Sequence, residues 1–309
     1  MEMMEQIEYP LLIDGGLSNQ LERLGYDLNH RLWSAKLLYE HPEAIVAAHL
    51  AYLEAGARCI TTASYQASVP GFIPSGFTKS EAEILLKRSI ELANIAIDKF
   101  QLNKSSNHRS LIAASIGPYG AFLADGSEYI GKYTISDSEL KSFHLERLRL
   151  LDELNFNFYA CETIPSFREA RILSELLRKM KKPSWISFSC KNENQINGGT
   201  PISEVVQLFD NHPKVFAVGI NCTAPDNISG LIKKVKPLIG DKKLIVYPNS
   251  GELYDPKKKM WNSSINELVW DKAVCEWLDL GVDIIGGCCR IGPVQIARIA
   301  DILNNNTDA

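Results

Sequence analysis

Short apolar runs recur along the chain and alternate with longer segments in which apolar residues follow a helical period. Eight of these runs are nearly continuous and rich in β-branched residues, a pattern typical of parallel strands that are buried on both faces. We therefore predict eight strands, at Leu11–Asp14, Arg58–Thr62, Leu111–Ile116, Phe156–Cys161, Trp185–Ser189, Phe216–Cys222, Leu244–Tyr247 and Val282–Gly286.

The segments between the predicted strands carry signals for helix starts. A Ser or Thr followed three residues later by Glu can satisfy free amides of a first helical turn. This pattern occurs at Thr78/Glu81, Ser136/Glu139, Ser166/Glu169 and Ser264/Glu267. Pro42 and Pro293 stand where a first turn would begin, a position that suits proline.

Eight strands that alternate with helices predict an α/β protein with one (β/α)8 TIM barrel domain over residues 1–309. Residues 1–8 and 304–309 are expected to be loose ends. A doubly wound open sheet is the alternative, because periodicity alone does not exclude it.

The connections after the predicted strands are longer than those before them. Long, Gly- and Pro-containing loops lie at Ala63–Phe77, Gly117–Ile135, Cys190–Thr200 and Pro248–Asn262. In a barrel, the loops that follow the strands form the catalytic face. The sequence therefore predicts a deep site on that face.

Composition and charge narrow the class of protein. The chain has 309 residues, 45% of them apolar, and 33 basic against 37 acidic side chains. Without a basic stripe, nucleic acid is not an expected partner. No apolar stretch reaches the roughly 18 residues of a membrane span, and the acidic first ten residues do not resemble a secretory signal. We therefore expect a cytoplasmic protein whose cysteines are reduced.

Three of the seven cysteines fall at predicted strand ends. Cys222 ends the sixth strand, and Cys288 and Cys289 follow the eighth. Strand ends converge on one rim of a barrel, so the three thiolates can meet. Three protein ligands leave a fourth tetrahedral position open, as in catalytic zinc sites, and soft sulfur ligands favour zinc. Cys275 is interpreted as a residue buried on a helix.

Other interpretations of these cysteines stay open at this point. A vicinal pair can be incidental or can form a redox disulfide, although the cytosol disfavours the latter. The glycines before Cys288 could approach a phosphate. A single Cys222 could be a small core residue. If zinc is bound, it deprotonates a thiol that enters the open position, which makes a nucleophile for an activated methyl group.

Several short motifs, spread over residues 11–292, resemble the homocysteine S-methyltransferases, in particular the branch that uses S-methylmethionine or S-adenosylmethionine. The matching segments are Asp14-Gly-Gly-Leu-Ser-Asn, Leu32-Trp-Ser-Ala, Thr62-Ala-Ser-Tyr-Gln, Ser115-Ile-Gly-Pro-Tyr-Gly-Ala, Leu123-Ala-Asp-Gly-Ser-Glu-Tyr, Ala160-Cys-Glu-Thr, Gly219-Ile-Asn-Cys, Tyr247-Pro-Asn-Ser-Gly-Glu and Ile285-Gly-Gly-Cys-Cys-Arg. Each piece is weak alone, but Asn-Cys followed by Gly-Gly-Cys-Cys is specific in combination.

The resemblance implies a (β/α)8 barrel with Zn²⁺ on Cys222, Cys288 and Cys289. It also implies that Asp14 and Glu162 hold the amino group of homocysteine, for which a rim carboxylate is suited. The alternatives are a turn residue for Asp14 and a charge at a helix N-terminus for Glu162.

A methyl donor with a positive sulfonium requires a surface that attracts cations, and aromatic faces do so. Trp33, Tyr65 and Tyr129 lie in matched motifs and are the predicted donor contacts. Asn221 and Asn249 are predicted to orient polar groups of the substrate, although Asn249 could equally stabilise its own turn.

One segment departs from the family pattern. Relatives often carry an acidic residue shortly before Leu32-Trp-Ser-Ala, whereas this chain has Asn29-His-Arg. The departure puts the contacts of this segment, and the donor that it accepts, in question.

The resulting hypothesis is methyl transfer from S-methylmethionine or S-adenosylmethionine to homocysteine, which gives methionine. Selenocysteine as acceptor and betaine as donor are close alternatives. A barrel lyase that forms a Schiff base on Lys191 is a third hypothesis, although its polar surroundings would not lower an amine pKa by desolvation. A non-catalytic zinc protein would usually supply four ligands.

Overall fold

Eight parallel strands form one sheet in the computed structural model, which describes residues 6–103, 110–251, 253–255, 260–262 and 267–307. The strands are β1 Leu11–Leu12, β2 Cys59–Thr61, β3 Leu111–Ile116, β4 Phe158–Ile164, β5 Ser184–Phe188, β6 Val215–Asn221, β7 Lys243–Tyr247 and, after the β8 and β9 ribbon given below, β10 Ile284–Ile285. Their order around the sheet is β1-β10-β7-β6-β5-β4-β3-β2.

Contacts between β1 and β2 close the sheet. Ile13 forms a parallel bridge with Cys59. The Arg58 amide donates to the Leu12 carbonyl at 2.8 Å, and the Asp14 amide donates to the Cys59 carbonyl at 3.0 Å. The first and last strands of the sheet order are therefore joined, so the predicted TIM barrel is confirmed and the open doubly wound sheet is excluded.

Helices follow the strands and cover the outside of the barrel. They are α1 Leu17–Arg23, α2 Leu37–Glu40, α3 Pro42–Glu54, α4 Val69–Phe72, α5 Lys79–Asn103, α6 Tyr119–Leu123, α7 Asp137–Leu151, α8 Phe167–Leu177, α9 Ile202–Val206, α10 Ile228–Val235, α11 Glu267–Asp279 and α12 Pro293–Thr307. Short 3-10 helices lie at Trp33–Lys36, Ile73–Ser75, Ser127–Tyr129, Gln207–Phe209, Pro225–Asn227 and Lys236–Leu238. An antiparallel ribbon, β8 Leu253–Asp255 and β9 Met260–Asn262, lies between β7 and α11.

Two of the four predicted helix starts form the complete set of capping hydrogen bonds. Thr78 and Glu81, and likewise Ser136 and Glu139, exchange side-chain and backbone hydrogen bonds as expected. Ser166 accepts from the Glu169 amide, but the Glu169 carboxylate turns inward instead. The pair Ser264/Glu267 lies partly outside the described residues.

The described residues near the two ends of the chain make contacts with the rest of the fold. Helix α12 continues to Thr307. Ile7 is buried, and the Arg58 guanidinium donates to the Glu8 carboxylate at 3.1 Å. Within the described residues, none of the helices has the length and apolar content that a bilayer span requires.

Alternation along the strands decides which side chains enter the barrel. Leu111 and Ala113 on β3, and Phe158 and Ala160 on β4, belong to the inner cluster, whereas Ile112 packs toward the helices. Two residues further along each strand, the same parity gives the polar side chains Ser115 and Glu162, both buried. The interior therefore changes from apolar to polar at the carboxyl ends of the strands, where barrel enzymes carry their sites.

Candidate active site

A cavity of about 410 Å³ opens at the carboxyl ends of the strands. Eight of the ten predicted site residues line it, namely Asp14, Trp33, Tyr65, Tyr129, Glu162, Cys222, Cys288 and Cys289. Asn221 and Asn249 are not among the lining residues within the described part of the chain. The predicted deep site therefore exists and gathers residues from most of the chain.

The three cysteines meet at one point of the cavity wall. Their sulfur atoms all lie within 4.8 Å of one another, and the Sγ atoms of Cys222 and Cys289 are 3.6 Å apart. A tetrahedral ion with metal–sulfur bonds of about 2.3 Å separates its ligand sulfurs by about 3.8 Å. The cluster therefore fits a single metal ion, with room for a fourth ligand from the cavity.

Backbone contacts hold the two cysteine segments in register. The Cys222 amide donates to the Tyr247 carbonyl at 3.1 Å, and the Cys288 amide donates to the Pro248 carbonyl at 2.8 Å. Cys222 itself has a positive φ of 46°, an unusual conformation for a residue other than glycine. Such strain at the end of β6 persists only where the surroundings enforce it, which is common at functional sites.

The thiols of the cluster affect one another electrostatically. Hydrogen bonds from Cys288 and Cys289 lower the pKa of Cys222 well below its ordinary value. Hydrogen bonding with Cys222, and then the charge of Cys222, raise the pKa of Cys288 and of Cys289. The arrangement favours the ionised form of Cys222, which a bound cation would stabilise further. The Tyr129 hydroxyl lies 3.7 Å from Cys222 Sγ and contributes to this environment.

Asn221 braces the cluster from behind the cavity wall. Its side-chain oxygen accepts from the Thr163 amide at 2.7 Å, and its nitrogen donates to Thr163 Oγ1 at 2.8 Å. The same nitrogen lies 3.9 Å from Cys288 Sγ. Because Thr163 has a positive φ of 60°, this brace holds a strained strand end beside Glu162. Asn221 therefore orients Thr163 and lies beside Cys288.

The side chain of Asn249 stabilises its own turn. Its side-chain oxygen accepts from the Gly251 amide at 2.9 Å, which closes its own turn. The amide of Asn249 donates to the Thr223 carbonyl at 3.2 Å. Asn249 therefore stabilises the loop after β7.

The two buried carboxylates are placed differently. Asp14 accepts from the Thr61 amide at 2.7 Å and from Thr61 Oγ1 at 3.0 Å. Burial raises its pKa well above the ordinary value, and the nearby Glu162 adds to that shift. Both carboxylates line the cavity. Asp14 is therefore not only a turn residue, and Glu162 is not only a charge at a helix N-terminus.

Glu162 sits inside β4 and not after it. Ser115 Oγ donates to its carboxylate. Burial raises the pKa of Glu162 to about 7, against the hydrogen bonds from Ser115 and Tyr247, which lower it. A positively charged group beside Asp14 and Glu162 would stabilise their ionised forms, so this pair is suited to an ammonium.

Aromatic side chains cover another part of the cavity. The rings of Trp33 and Tyr65 meet edge to face with centroids 6.4 Å apart. Asn29 and His30 also line the cavity, whereas Arg31 lies over the ring of Phe122. The segment before Leu32 therefore contributes residues that a ligand can reach.

Three further residues at the cavity were not singled out from the sequence. Glu128 and Ser115 line the cavity, and Tyr247 lies between Glu162 and the interior, where its hydroxyl contacts Ser187 Oγ at 2.5 Å. The parity of inward-facing residues would have identified Ser115 and Tyr247. Glu128 belongs to the matched segment that starts at Leu123, but strand parity does not mark it, because it lies on the 3-10 helix Ser127–Tyr129.

Two further expectations concern residues outside the cavity. Lys191 is exposed and is not a lining residue in the described structure, which gives no support to a Schiff-base lyase. The prediction that Cys275 is buried is wrong. It lies on α11 but faces solvent, because its place in the helical period falls on the outer face.

A closed barrel with a thiol-rich cluster and two buried carboxylates around one cavity defines a TIM-barrel enzyme with a candidate metal site. The family model described as homocysteine S-methyltransferase matches residues 11–303. The chain belongs to this family.

Relatives and a solved structure agree with this assignment. Homocysteine S-methyltransferase YbgG of Bacillus subtilis is 44% identical, with 94% of each chain covered. The selenocysteine Se-methyltransferase of Brassica oleracea is 42% identical, covering 96% of this chain and 90% of the relative. The metallated form of the homocysteine methyltransferase MmuM from Escherichia coli is 36% identical, with a TM-score of 0.86 over 97% of this chain and 98% of that one.

Proposed function

We propose that the protein transfers a methyl group from S-methylmethionine or S-adenosylmethionine to the thiol of L-homocysteine, with Zn²⁺ held by Cys222, Cys288 and Cys289. The observation that carries the proposal is the convergence of three sulfur atoms within 4.8 Å, in the same cavity as two buried carboxylates. Both features are required to bind one amino acid by its thiol and its ammonium.

The metal fits the donor set that the chain provides. Sulfur ligands favour zinc over magnesium, calcium or manganese, and three of them leave one position for a substrate atom. When bound, zinc would keep the homocysteine sulfur deprotonated at neutral pH. Asn221 and Tyr129 support the cysteines through contacts to Cys288 and Cys222.

Asp14 and Glu162 are proposed to hold the ammonium of homocysteine. Both are buried, and their hydrogen bonds to Thr61 and Ser115 fix the carboxylates in place. Fixed carboxylates orient the amino acid so that its sulfur reaches the cysteine cluster.

The donor is proposed to lie against Trp33, Tyr65 and Tyr129. Aromatic faces attract onium ions, and Tyr129 adjoins Cys222, so a methyl group placed here would face the acceptor sulfur. Displacement in line then requires no proton transfer at the methyl step.

Selenocysteine is the alternative acceptor with specific support, since a relative at 42% identity is named as a selenocysteine Se-methyltransferase. Betaine as donor has no comparable observation in its favour. A cytoplasmic location is also proposed, because all seven cysteines are free thiols, as a reducing compartment would keep them.

The test is the stoichiometry of the reaction. Zinc-loaded protein is incubated with homocysteine and S-methylmethionine, and methionine formed per donor consumed is measured. We expect two methionines per donor, one from each partner, and loss of turnover with a chelator. The control is Lys191→Ala, which should keep full activity.

Each other result has a defined meaning. Turnover with S-adenosylmethionine alone would keep the reaction and fix the donor. Activity that survives complete removal of metal would contradict the proposed role of the cysteines. Failure with every sulfonium donor would overturn the proposed function.

A further inference from the structure

The described residues that line the cavity are strongly acidic. They include six carboxylates and no lysine or arginine, the carboxylates being Asp14, Glu22, Asp27, Asp125, Glu128 and Glu162. A cleft with one sign of charge concentrates ligands of the opposite sign. Homocysteine as a zwitterion brings no net charge. A sulfonium amino acid brings one net positive charge, so the acidity of the cavity bears on the donor.

Five of these carboxylates have partners. Asp14 and Glu162 accept the hydrogen bonds described above. Asp27 accepts from the Asn29 amide and Asp125 from the Ser127 amide, each at 2.9 Å. Glu22 lies near Arg290, whose charge opposes the rise in its pKa on burial.

The Glu128 carboxylate accepts hydrogen bonds from the backbone of Glu128 and of Gly126, but one of its two oxygen atoms distinguishes it from the other five carboxylates. Its Oε2 atom is buried and has no hydrogen-bond partner among the described residues. A buried carboxylate oxygen without a partner is unfavourable unless a ligand supplies the missing contact. Burial raises the pKa of Glu128 to about 7, which a neighbouring cation would reverse.

The fold brings Glu128 to the reacting end of the cavity. A Cβ on Gly120 would lie 2.3 Å from the Glu128 amide, so only glycine allows the loop to pack this closely. The charge of Glu128 raises the pKa of Tyr65, and the charge of Cys222 raises that of Glu128. Its neighbour Tyr129 contacts Cys222 directly.

We propose that Glu128 is the specificity-determining residue for the methyl donor, and that its carboxylate pairs with the sulfonium charge beside Tyr65 and Tyr129. The inference rests on the proposed function. It adds an anionic partner to the aromatic surface, within reach of the atoms that react.

Loss of the sulfonium charge during methyl transfer promotes release of the product. The homocysteine sulfur forms a bond to the methyl carbon as the sulfonium carbon–sulfur bond breaks, and the electron pair of that bond stays on the donor sulfur. The donor sulfur becomes a neutral thioether, so the charge that Glu128 contacts disappears. Glu128 therefore favours the donor over the methionine that it becomes, which promotes exchange of product for substrate.

The test uses two unreactive analogues of S-methylmethionine that differ in one charge. In 2-amino-4-(trimethylammonio)butanoate the sulfonium is replaced by a quaternary ammonium, and in 2-amino-5,5-dimethylhexanoate by a neutral carbon. Both are titrated calorimetrically into zinc-loaded protein saturated with homocysteine, as wild type and as Glu128→Gln. We expect the charged analogue to bind about tenfold or more weakly to the variant, and the neutral one to bind equally well to both proteins.

Asp125→Asn is the matched control, because it removes one negative charge from the same loop at an exposed, hydrogen-bonded position. It should weaken binding of the charged analogue far less than Glu128→Gln does and leave binding of the neutral analogue near wild type, and Glu128→Asp should recover part of the loss. Equal losses for both analogues in Glu128→Gln, or an equal loss in Asp125→Asn, would overturn the assignment.

The zinc content and the homocysteine affinity of Glu128→Gln are measured in parallel and should match wild type. A wild-type protein that makes methionine, with a Glu128→Gln variant that binds both analogues normally, would refute only the role of Glu128. A wild type that neither binds the charged analogue nor uses a sulfonium donor would refute the proposed function as well.

Discussion

The alternation of side chains along β4 places Glu162 on the inward face of the strand. Phe158 and Ala160 precede it on the inward face, so its carboxylate emerges where the apolar interior ends. Burial raises its pKa to about 7, while Ser115 and Tyr247 donate hydrogen bonds that stabilise the ionised form. The group is therefore poised between its two protonation states near neutral pH.

This pKa predicts how homocysteine binding depends on pH. Only the ionised carboxylate attracts an ammonium, and a group of pKa about 7 goes from roughly one tenth to roughly nine tenths ionised between pH 6 and pH 8. We expect the KM for homocysteine to fall about tenfold over this range through Glu162. In Glu162→Gln the tenfold change of KM with pH should be absent, and the KM for homocysteine at pH 8 should rise about tenfold or more.

Steady-state kinetics at saturating donor measure both effects. Glu204→Gln makes the same change at an exposed position on α9 and should keep the wild-type profile. A Glu162→Gln enzyme with an unchanged KM at pH 8 would remove Glu162 from the ammonium site.

Single residues were predictable where strand order alone places them. Asp14, Glu162 and the three cysteines stand at strand ends, and the barrel brings these ends together. Glu128 could not be found this way, because its position depends on how the loop packs against Gly120. The bracing role of Asn221 depends on a contact with Thr163, 58 residues away, which no local pattern records.

At the scale of elements, the largest difference concerns β4. The sequence predicts that it ends at Cys161, whereas it continues to Ile164. The polar residues Glu162 and Thr163 resemble a loop in the sequence. They lie where the register of β4 against β5 shifts, and the Thr163 amide there donates to the side-chain oxygen of Asn221. Buried polar partners thus override the local preference.

Helix α3 contains a residue that its sequence does not explain. His49 is fully buried against the barrel, and neither ring nitrogen has a hydrogen-bond partner in the described part of the chain. Burial lowers its pKa to about 4, so the folded protein keeps it neutral. An unpaired buried imidazole is expected to reduce stability.

We predict that His49→Leu raises the free energy of unfolding at pH 7 by about 1 kcal/mol. The burial of neutral His49 also makes the free energy of unfolding depend on pH. Between its unfolded pKa of about 6.5 and its folded pKa of about 4, His49 is protonated mainly in the unfolded state, so wild-type stability falls as the pH falls. Over this range the wild type should lose about 3 kcal/mol more than the variant.

Urea denaturation of both proteins at pH 7, 5.5 and 4 measures this difference. The comparison isolates His49, because all other groups titrate in both proteins. Parallel stability curves with a constant offset would mean that His49 has no depressed pKa.

At the scale of the whole molecule, the pattern of apolar residues along the sequence was sufficient to predict the barrel architecture. Eight apolar runs with helices between them leave few arrangements that bury every strand on both faces, and a closed barrel is one of them. Closure itself was not predictable from periodicity, because it depends on Ile13 meeting Cys59 across residues distant in the chain.

The molecule separates its stability from its candidate metal site. The inner apolar cluster and the layer between sheet and helices extend through the barrel, whereas Cys222, Cys288 and Cys289 lie at the carboxyl ends of β6 and β10. Cys288 and Cys289 are only partly buried. Removing one thiol therefore alters the cavity wall and leaves both apolar layers intact.

From this separation we predict that Cys289→Ser loses bound zinc and activity but still folds. Far-ultraviolet circular dichroism at 25 °C should match that of the wild type, and metal analysis after dialysis should show no zinc. The thermal midpoint should fall only as far as the midpoint of the wild type does when its metal is removed, because the stabilisation lost is that of the metal. Cys275→Ser makes the same substitution at an exposed cysteine of α11 and should retain zinc, activity and midpoint. An unfolded Cys289→Ser protein beside a normal Cys275→Ser protein would mean that the cluster supports the barrel itself, and the site would then be structural.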